Sequence, residues 1–156
     1  MGRWQNFTIW RGKLPHWRAD SVTYYVTFRH RRPLDDIEMQ GLFKELLKAE
    51  GKKFNIDILC VVPETTSLVF SVLSNSKGEA FELSKVIEAA KTRAGKKIIA
   101  ASGERFPPFY TESFDRILRD EVEIEETFTQ ILHSPVDAEL CEDPDTYDFL
   151  YLPISR

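Results

Sequence analysis

Cysteine is scarce in this chain, with only Cys60 and Cys141 among 156 residues. The two lie far apart and form no Cys-x-x-Cys pair, so neither a disulfide framework nor a zinc site is expected. Cys60 falls in an apolar, strand-like run, which favours free thiols in a reducing, cytoplasmic compartment. Long apolar runs are also missing. No segment reaches the roughly 18 residues of a membrane span, and the N-terminus lacks the apolar region of a signal peptide. Membrane-spanning and secreted proteins are therefore not expected.

The composition is typical of a single globular domain. Hydrophobic residues make up 42% of the chain and aromatic residues 12%, which is enough to bury a core at this length. No internal repeat, low-complexity tract or linker divides the sequence, so residues 1–156 are expected to form one domain. We expect it to begin with a basic, aromatic arm (1–20) and to end with a tail (137–156) packed on the domain.

The net charge of −4 conceals an uneven distribution of charge along the chain. Residues 1–32 hold seven Lys and Arg residues against one acid, residues 33–111 hold eleven of each, and residues 112–156 hold three bases against thirteen acids. A basic N-terminal region can meet DNA phosphates, whereas an acidic C-terminal third repels them. The alternative is that this segregation does not survive folding.

Hydrophobic periodicity predicts the element order β-α-β-β-α-β-α. The predicted strands are 22–29, 54–62, 67–73 and 114–118, and the predicted helices are 37–47, 81–95 and 120–132. Gly95 is expected to end the second helix and Pro135 to stop the third, because both residue types disfavour helix interiors. This order predicts an α+β fold, with an antiparallel sheet and helices on one side of it.

The stretch from Val61 to Phe70 carries the most informative pattern. Thr65 and Ser67 are spaced i and i+2 on a strand, so their side chains share one face of the sheet. Histidines at these two positions would form a metal clamp, whereas hydroxyl groups are weak ligands for a divalent ion. The segment therefore has the layout of a metal-binding strand whose ligands have been replaced.

Several segments resemble, in their order and spacing, the REP-associated tyrosine transposases of the HUH single-tyrosine superfamily. They are LPHW (14–17), YYVTFR (24–29), LSK to KTR (83–93), ESFDRILRDE (112–121), ILHSPV (131–136) and YDFLYL (147–152). The resemblance spans about residues 10–152. It implies a ferredoxin-like α+β fold, a homodimer, and binding of single-stranded or hairpin DNA. It also implies cleavage by a tyrosine nucleophile assisted by Mg²⁺ or Mn²⁺.

The resemblance further implies which positions would act. The family's Pro-Asn-His-x-His pattern falls on residues 63–67, so its two histidine positions hold Thr65 and Ser67. Its nucleophile position holds Gln130, and a polar position that assists the metal holds Ser134. We therefore expect no catalytic residue, no metal site and no cofactor. His133, one helical turn from Gln130, remains a possible single ligand.

Basic residues after the first strand and on the second helix are the predicted DNA contacts, together with one arginine from 112–121. The nine candidates are Arg29, Arg31, Arg32, Lys85, Lys91, Arg93, Lys96, Lys97 and Arg116. The alternative is a solvated helix face and a charged loop. Trp4, Trp10 and Trp17 either stack on bases or pack against the sheet.

The sequence thus favours a catalytically inactive, DNA-binding relative of the transposases. One alternative is a structural or protein-interaction dimer that does not bind DNA. Another is an active transposase with relocated catalytic residues, for which Tyr110 and Tyr147 are the remaining candidate nucleophiles.

Overall fold

The structure, a computed structural model, describes residues 22–110 and 112–153. The basic, aromatic arm with its three tryptophans lies outside the described residues. In chain order the elements are β1 (Thr23–Arg29), α1 (Asp36–Leu47), β2 (Phe54–Val61), β3 (Thr65–Val72), α2 (Leu83–Ser102), β4 (Phe114–Leu118), α3 (Glu121–Asp137), a short 3-10 helix (Pro144–Thr146) and β5 (Leu150–Tyr151). None of the helices in this described part has the length and apolar character needed to cross a membrane.

The strands form one five-stranded sheet in the order β4-β1-β3-β2-β5. Every neighbouring pair is antiparallel, so the predicted α+β fold with an antiparallel sheet is confirmed. The C-terminal tail reaches the sheet as β5, where Leu150 and Tyr151 pair with Cys60 and Leu59 at the edge of β2.

The helices cover both faces of the sheet, and the prediction that they lie on one side is wrong. Helices α1 and α2 pack on one face, through residues such as Leu42 and Ala94. Helix α3 packs on the other face, through Phe128, Ile131 and Leu132. The reason is that the central strands are apolar on both faces, and each apolar face needs a cover to be removed from water.

Helix α1 begins one residue before the predicted start. Asp35 is its N-cap: the side chain accepts a hydrogen bond from the backbone N–H of Glu38, and the Glu38 side chain accepts one from the backbone N–H of Asp35. This reciprocal pair satisfies two backbone donors that the first turn leaves without helical partners.

Two predicted helix ends are wrong, each for a local reason. Helix α2 continues through Gly95 to Ser102 and is closed by Gly103, which has a left-handed φ of 76°. Gly95 is needed for close packing, because a Cβ there would lie 2.9 Å from Cβ of Pro107. Helix α3 contains Pro135 and continues to Asp137.

Ser134 explains how α3 passes Pro135. Proline has no N–H to donate to the carbonyl four residues earlier, which belongs to Ile131. The Ser134 hydroxyl donates to that carbonyl instead, at 2.8 Å. Pro135 therefore destabilises the helix less than it would without this hydrogen bond. The helix continues for another two residues.

Candidate functional site

Five side chains form a straight row across the sheet on the face that α3 covers. Phe114, Thr27, Ser67, Cys60 and Leu150 are successive register partners on β4, β1, β3, β2 and β5. Residues directly opposite each other in antiparallel strands point to the same face. The row therefore brings the predicted ligand position Ser67 to the middle of the sheet, between a hydroxyl and a thiol.

Hydrogen bonds join the polar members of this row. Thr27 Oγ1 donates to the Thr66 carbonyl at 3.1 Å and lies 3.0 Å from Ser67 Oγ. Because Thr27 has a single hydroxyl proton, Ser67 is the donor in the second bond. On the other side of Ser67, the Ser134 hydroxyl lies 3.5 Å from Cys60 Sγ. Ser67 and Ser134 are thus brought to either side of Cys60.

The remaining predicted positions lie around this row. Thr65 is half-buried opposite Arg29 at the end of β3. Gln130 is exposed on α3, one helical turn before Ser134. Thr65 and Ser67 therefore share the face that carries α3, as their i and i+2 spacing implies, and Ser134 lies on α3 itself.

The donor atoms of this region do not fit Mg²⁺ or Mn²⁺, which prefer carboxylate, carbonyl and water oxygens, with imidazole as an alternative for manganese. The hydroxyls of Thr65, Ser67 and Ser134 are neutral. Burial raises the pKa of the Cys60 thiol to about 12, so the thiol is neutral as well. Within 22–110 and 112–153, no group of three or more His, Cys, Asp and Glu side chains is placed to hold a metal ion.

His30 lies on the opposite face and has a structural role. It is 6% exposed, and Nδ1 donates to the Pro63 carbonyl at 2.7 Å while Nε2 accepts from the Thr66 hydroxyl at 2.9 Å. Burial lowers its pKa, and the positive charge of Lys91 lowers it further. His30 is therefore a neutral side chain that holds the β2–β3 turn and adds no charge to the basic stretch after β1.

Tyr147 is also held by the fold. Its hydroxyl donates to the Val61 carbonyl at 2.6 Å, and burial is the main cause of its raised pKa. A phenol that donates its proton to a carbonyl and ionises with difficulty is a poor nucleophile. Tyr110, in contrast, is 45% exposed.

A concavity of about 660 Å³ opens beside the row. We call it the groove. Its lining residues are Thr27, Phe28, Arg29, Tyr110, Glu112, Ser113 and Phe114. Phe114 belongs to the edge strand β4, and its side chain is 58% exposed. The groove thus combines one arginine and the exposed carboxylate of Glu112 with two exposed aromatic rings, next to the hydroxyls of the row.

Three of the predicted DNA contacts lie around the groove and are exposed. Arg29 lines it, and Arg31 stacks over the Tyr110 ring, with Cζ 5.6 Å from the ring centroid. Arg116 lies on the same face of β4 as Phe114, 5.8 Å from the centroid of the Tyr25 ring, and donates to the Thr127 hydroxyl at 3.4 Å. Arg116 lies within β4, in the predicted strand 114–118. No carboxylate among the described residues pairs with any of these arginines.

Lys91 has a different role from the predicted DNA contact. It is only 7% exposed, and its ammonium donates to the Tyr110 carbonyl at 3.0 Å and to the Ser113 hydroxyl at 2.8 Å. Nζ also lies 4.3 Å from the centroid of the Phe28 ring. Burial lowers its pKa. Lys91 fixes the segment that lines the groove and is not available to a ligand at the surface.

Three further candidates have their charges paired. Glu45 is 2% exposed, and its carboxylate accepts from Arg93 at 2.7 Å and from Lys97 at 3.0 Å. Arg32 binds Glu38 at 2.7 Å and makes a second ion pair with Glu104. These pairs connect the end of β1 with α1 and α2.

Two candidates remain exposed on α2. Lys85 lies 3.4 Å from Glu82 in an exposed pair of little energetic weight. Lys96 is exposed and has no ion pair with another described residue. Both lie on the helix that covers the face opposite the row, so the nine predicted contacts do not form one continuous surface.

No protein-family model matches the sequence, and no curated protein matches it either. The solved structures do give a match: a REP-associated tyrosine transposase bound to a REP hairpin superposes with a TM-score of 0.56. The fold is that of this transposase. The aligned residues are 12% identical and cover 83% of this chain and 76% of that chain. At this identity the relationship is one of fold. Hairpin binding is a property of that transposase and does not transfer with the fold.

Sequence reasoning did not assign the exposed aromatic residues of this region to the site. Phe106 and Tyr110 flank Pro107, Pro108 and Phe109 in the run RFPPFY. Arginines next to aromatic residues in a proline-rich loop were the available signal. The pairing of Arg31 with these rings is a long-range contact that sequence spacing does not indicate.

Proposed function

We propose that this chain is a transposase-like protein that binds single-stranded or hairpin DNA and does not cut it. The observation that carries the proposal is the groove, which Arg29 lines and beside which Arg31 and Arg116 lie, on a fold shared with a transposase that was solved bound to a DNA hairpin. No carboxylate among the described residues pairs with these three arginines. Arg29, Arg31 and Arg116 supply positive charge for phosphates, while Phe114 and Tyr110 present exposed rings to bases.

The chemistry of the row supports the absence of cleavage. In the resembling family a tyrosine oxygen attacks the phosphorus and a metal ion stabilises the charge that develops on the phosphate. At the corresponding positions this chain has neutral hydroxyls at Thr65 and Ser67 and a carboxamide at Gln130. A carboxamide forms no phosphoester, and neutral hydroxyls are weak ligands for a divalent metal ion.

Binding is tested by a mobility-shift assay across a salt series. The full chain is mixed with a DNA hairpin, with an unstructured single strand and with a blunt duplex without a loop. We expect binding of the hairpin or the single strand that weakens steeply as salt is raised, because phosphate contacts release counterions. No binding of any of the three at low salt would refute the proposal and favour a protein-interaction or structural role.

Cleavage is tested separately with end-labelled single-stranded and hairpin DNA in the presence of Mg²⁺ or Mn²⁺. We expect intact DNA and no protein–DNA adduct. A covalent adduct mapped to a tyrosine would refute the inactive assignment. An adduct on Tyr110 would identify it as a relocated nucleophile, because its ring is exposed at the groove.

The resemblance also leads us to propose a homodimer in the cytoplasm. The free thiols of Cys60 and Cys141 agree with a reducing compartment. Light scattering on the purified chain measures the assembly directly, and a monomer at the concentration at which DNA is bound would refute the dimer.

A further inference from the structure

Two aromatic rings and one arginine of the loop between α2 and β4 form an exposed cluster with a second arginine, which follows β1. We call Arg31, Arg105, Phe106 and Tyr110 the stacking cluster. Cζ of Arg31 lies 5.9 Å from the Phe106 ring centroid and 5.6 Å from that of Tyr110, and Cζ of Arg105 lies 5.4 Å from the Phe106 centroid. Phe106 is 57% exposed and Tyr110 45%. Large rings rarely remain this exposed without a function, unless they are scattered singly.

The fold anchors the loop that carries these rings. Phe109 is 5% exposed, and its ring lies edge-on to Phe28 at 6.2 Å and to His30 at 5.7 Å. Pro107 lies against Gly95 in α2, so closely that any side chain at that position would collide with it. The loop therefore has two fixed points between its two exposed rings.

Hydrogen bonds also fix the backbone of the loop that carries the rings. The backbone N–H of Arg31 donates to the Pro108 carbonyl at 2.6 Å. The buried ammonium of Lys91 donates to the Tyr110 carbonyl at 3.0 Å. A loop backbone held in this way loses little conformational entropy when a planar ligand stacks on its rings, which favours binding.

The charge of the cluster complements a nucleic acid backbone. Neither Arg31 nor Arg105 forms an ion pair with a carboxylate among the described residues. An arginine over an aromatic ring keeps its positive charge and can hold a phosphate while the ring receives a base. Tyr110 belongs both to this cluster and to the lining of the groove, so the two sites are continuous.

We propose that the stacking cluster binds an unpaired nucleotide of the DNA that lies in the groove, with its base on Tyr110 or Phe106 and its phosphate on Arg31. This inference rests on the proposed DNA binding and specifies the part of the DNA that is recognised. Stacking needs an exposed base face, which a base within a blunt duplex does not offer. The cluster therefore makes the chain prefer DNA with single-stranded nucleotides over fully paired DNA.

The test uses a single-stranded oligonucleotide of about 12 nucleotides, a length within the range of known single-strand sites, with 2-aminopurine in its middle. The fluorescence of this base falls when it stacks on an aromatic ring. Tyr110→Leu and Phe106→Leu remove a ring from an exposed position and should leave the fold intact, which a thermal melt checks. At least one of them should bind the oligonucleotide roughly tenfold more weakly and quench the fluorescence less.

Two control variants separate stacking from other effects. Tyr110→Phe keeps the ring and removes the hydroxyl, so it should bind more tightly and quench more strongly than Tyr110→Leu. Phe81→Leu removes a ring that pairs with Lys53 at 5.7 Å. This ring is distant from the cluster, and its removal should leave binding and quenching unchanged. A loss caused equally by Phe81→Leu would overturn the assignment to the cluster.

The outcomes distinguish the two proposals. If the native chain binds the oligonucleotide and both leucine variants bind and quench as well as it does, base stacking on the cluster is overturned and the proposed DNA binding stands. If the native chain binds neither this oligonucleotide nor a hairpin at low salt, both proposals are overturned together.

Discussion

Thr27 and Ser67 face each other on neighbouring strands, with their hydroxyl oxygens 3.0 Å apart. A histidine at position 67 would instead place an imidazole in this space, and its nitrogen would be available as a ligand for a metal ion. The two hydroxyls instead satisfy each other and the Thr66 carbonyl. This part of the sheet therefore presents neutral hydroxyls that are hydrogen-bonded to each other, which agrees with the proposal that DNA is bound without being cut.

Restoring the two imidazoles and the phenol tests that view. The variant Thr65→His, Ser67→His and Gln130→Tyr should bind Mn²⁺ in calorimetry, whereas the native chain should show no heat of binding. The matched control is Thr65→Asn, Ser67→Asn and Gln130→Tyr, because asparagine occupies comparable space without an imidazole and is a weaker ligand for Mn²⁺. Equal heats for the two variants, or binding by the native chain, would show that this face is not the site of a lost metal clamp.

Arg29 and Arg32 are separated by three positions but should behave differently toward DNA. Arg29 lines the groove and pairs with no carboxylate of residues 22–110 and 112–153, whereas Arg32 is neutralised by Glu38 and Glu104. Arg29→Gln should therefore weaken DNA binding and reduce the slope of log affinity against log salt by about one. Arg32→Gln should leave that slope unchanged. The reverse pattern would mean that DNA does not lie in the groove.

Gly95 and Gly41 are both helical glycines with opposite surroundings. A Cβ at Gly95 would lie 2.9 Å from Cβ of Pro107, whereas one at Gly41 would meet nothing within 4 Å. Gly95→Ala should lower the free energy of unfolding by about 1–2 kcal/mol, since overpacking outweighs the gain in helix propensity. Gly41→Ala should raise it by about 0.5–1 kcal/mol. Urea unfolding measures both, and changes of the same sign would contradict the packing of Pro107 on α2.

Glu45 should make the protein sensitive to acid. Burial alone would raise its pKa, but hydrogen bonds from Arg93, Lys48 and Lys97 outweigh that effect and hold the pKa at about 2, below the ordinary value of 4.5. The ionised carboxylate therefore stabilises the folded state above pH 4.5, by at most about 3 kcal/mol. Solvent reduces this contribution, because the side chains of Arg93, Lys48 and Lys97 are about half exposed or more. This contribution is lost as the pH falls from about 4.5 to about 2.

The matched variants for this prediction are Glu45→Gln and Glu82→Gln. Glu45→Gln should lower the free energy of unfolding at pH 7 and flatten its dependence on pH between 4.5 and 2. Glu82 forms only an exposed pair with Lys85, so its replacement should leave the pH dependence as it is. Parallel pH profiles for the native chain and Glu45→Gln would show that the cations do not hold Glu45 ionised.

Elements governed by local chemistry were predictable from the sequence. The strand Phe114–Leu118 has the predicted bounds, and α1 begins at Asp36, one residue before the predicted start. The ends of α2 and α3 were not predictable, because Gly95 and Pro135 normally end helices. Contacts made only in the fold override that preference: Pro107 fills the space beside Gly95, and the Ser134 hydroxyl takes over a carbonyl near Pro135.

For the candidate site, too, one part was predictable from the sequence and another part was not. The sequence by itself determined the chemical groups at Thr65, Ser67 and Gln130, because the identity of a side chain sets which bonds it can form. Only the tertiary structure decided which cations are available to a ligand. The charge of Lys91 or Arg93 belongs to the residue, but its availability depends on neighbours such as Tyr110 and Glu45, which are distant in sequence and meet it only after folding.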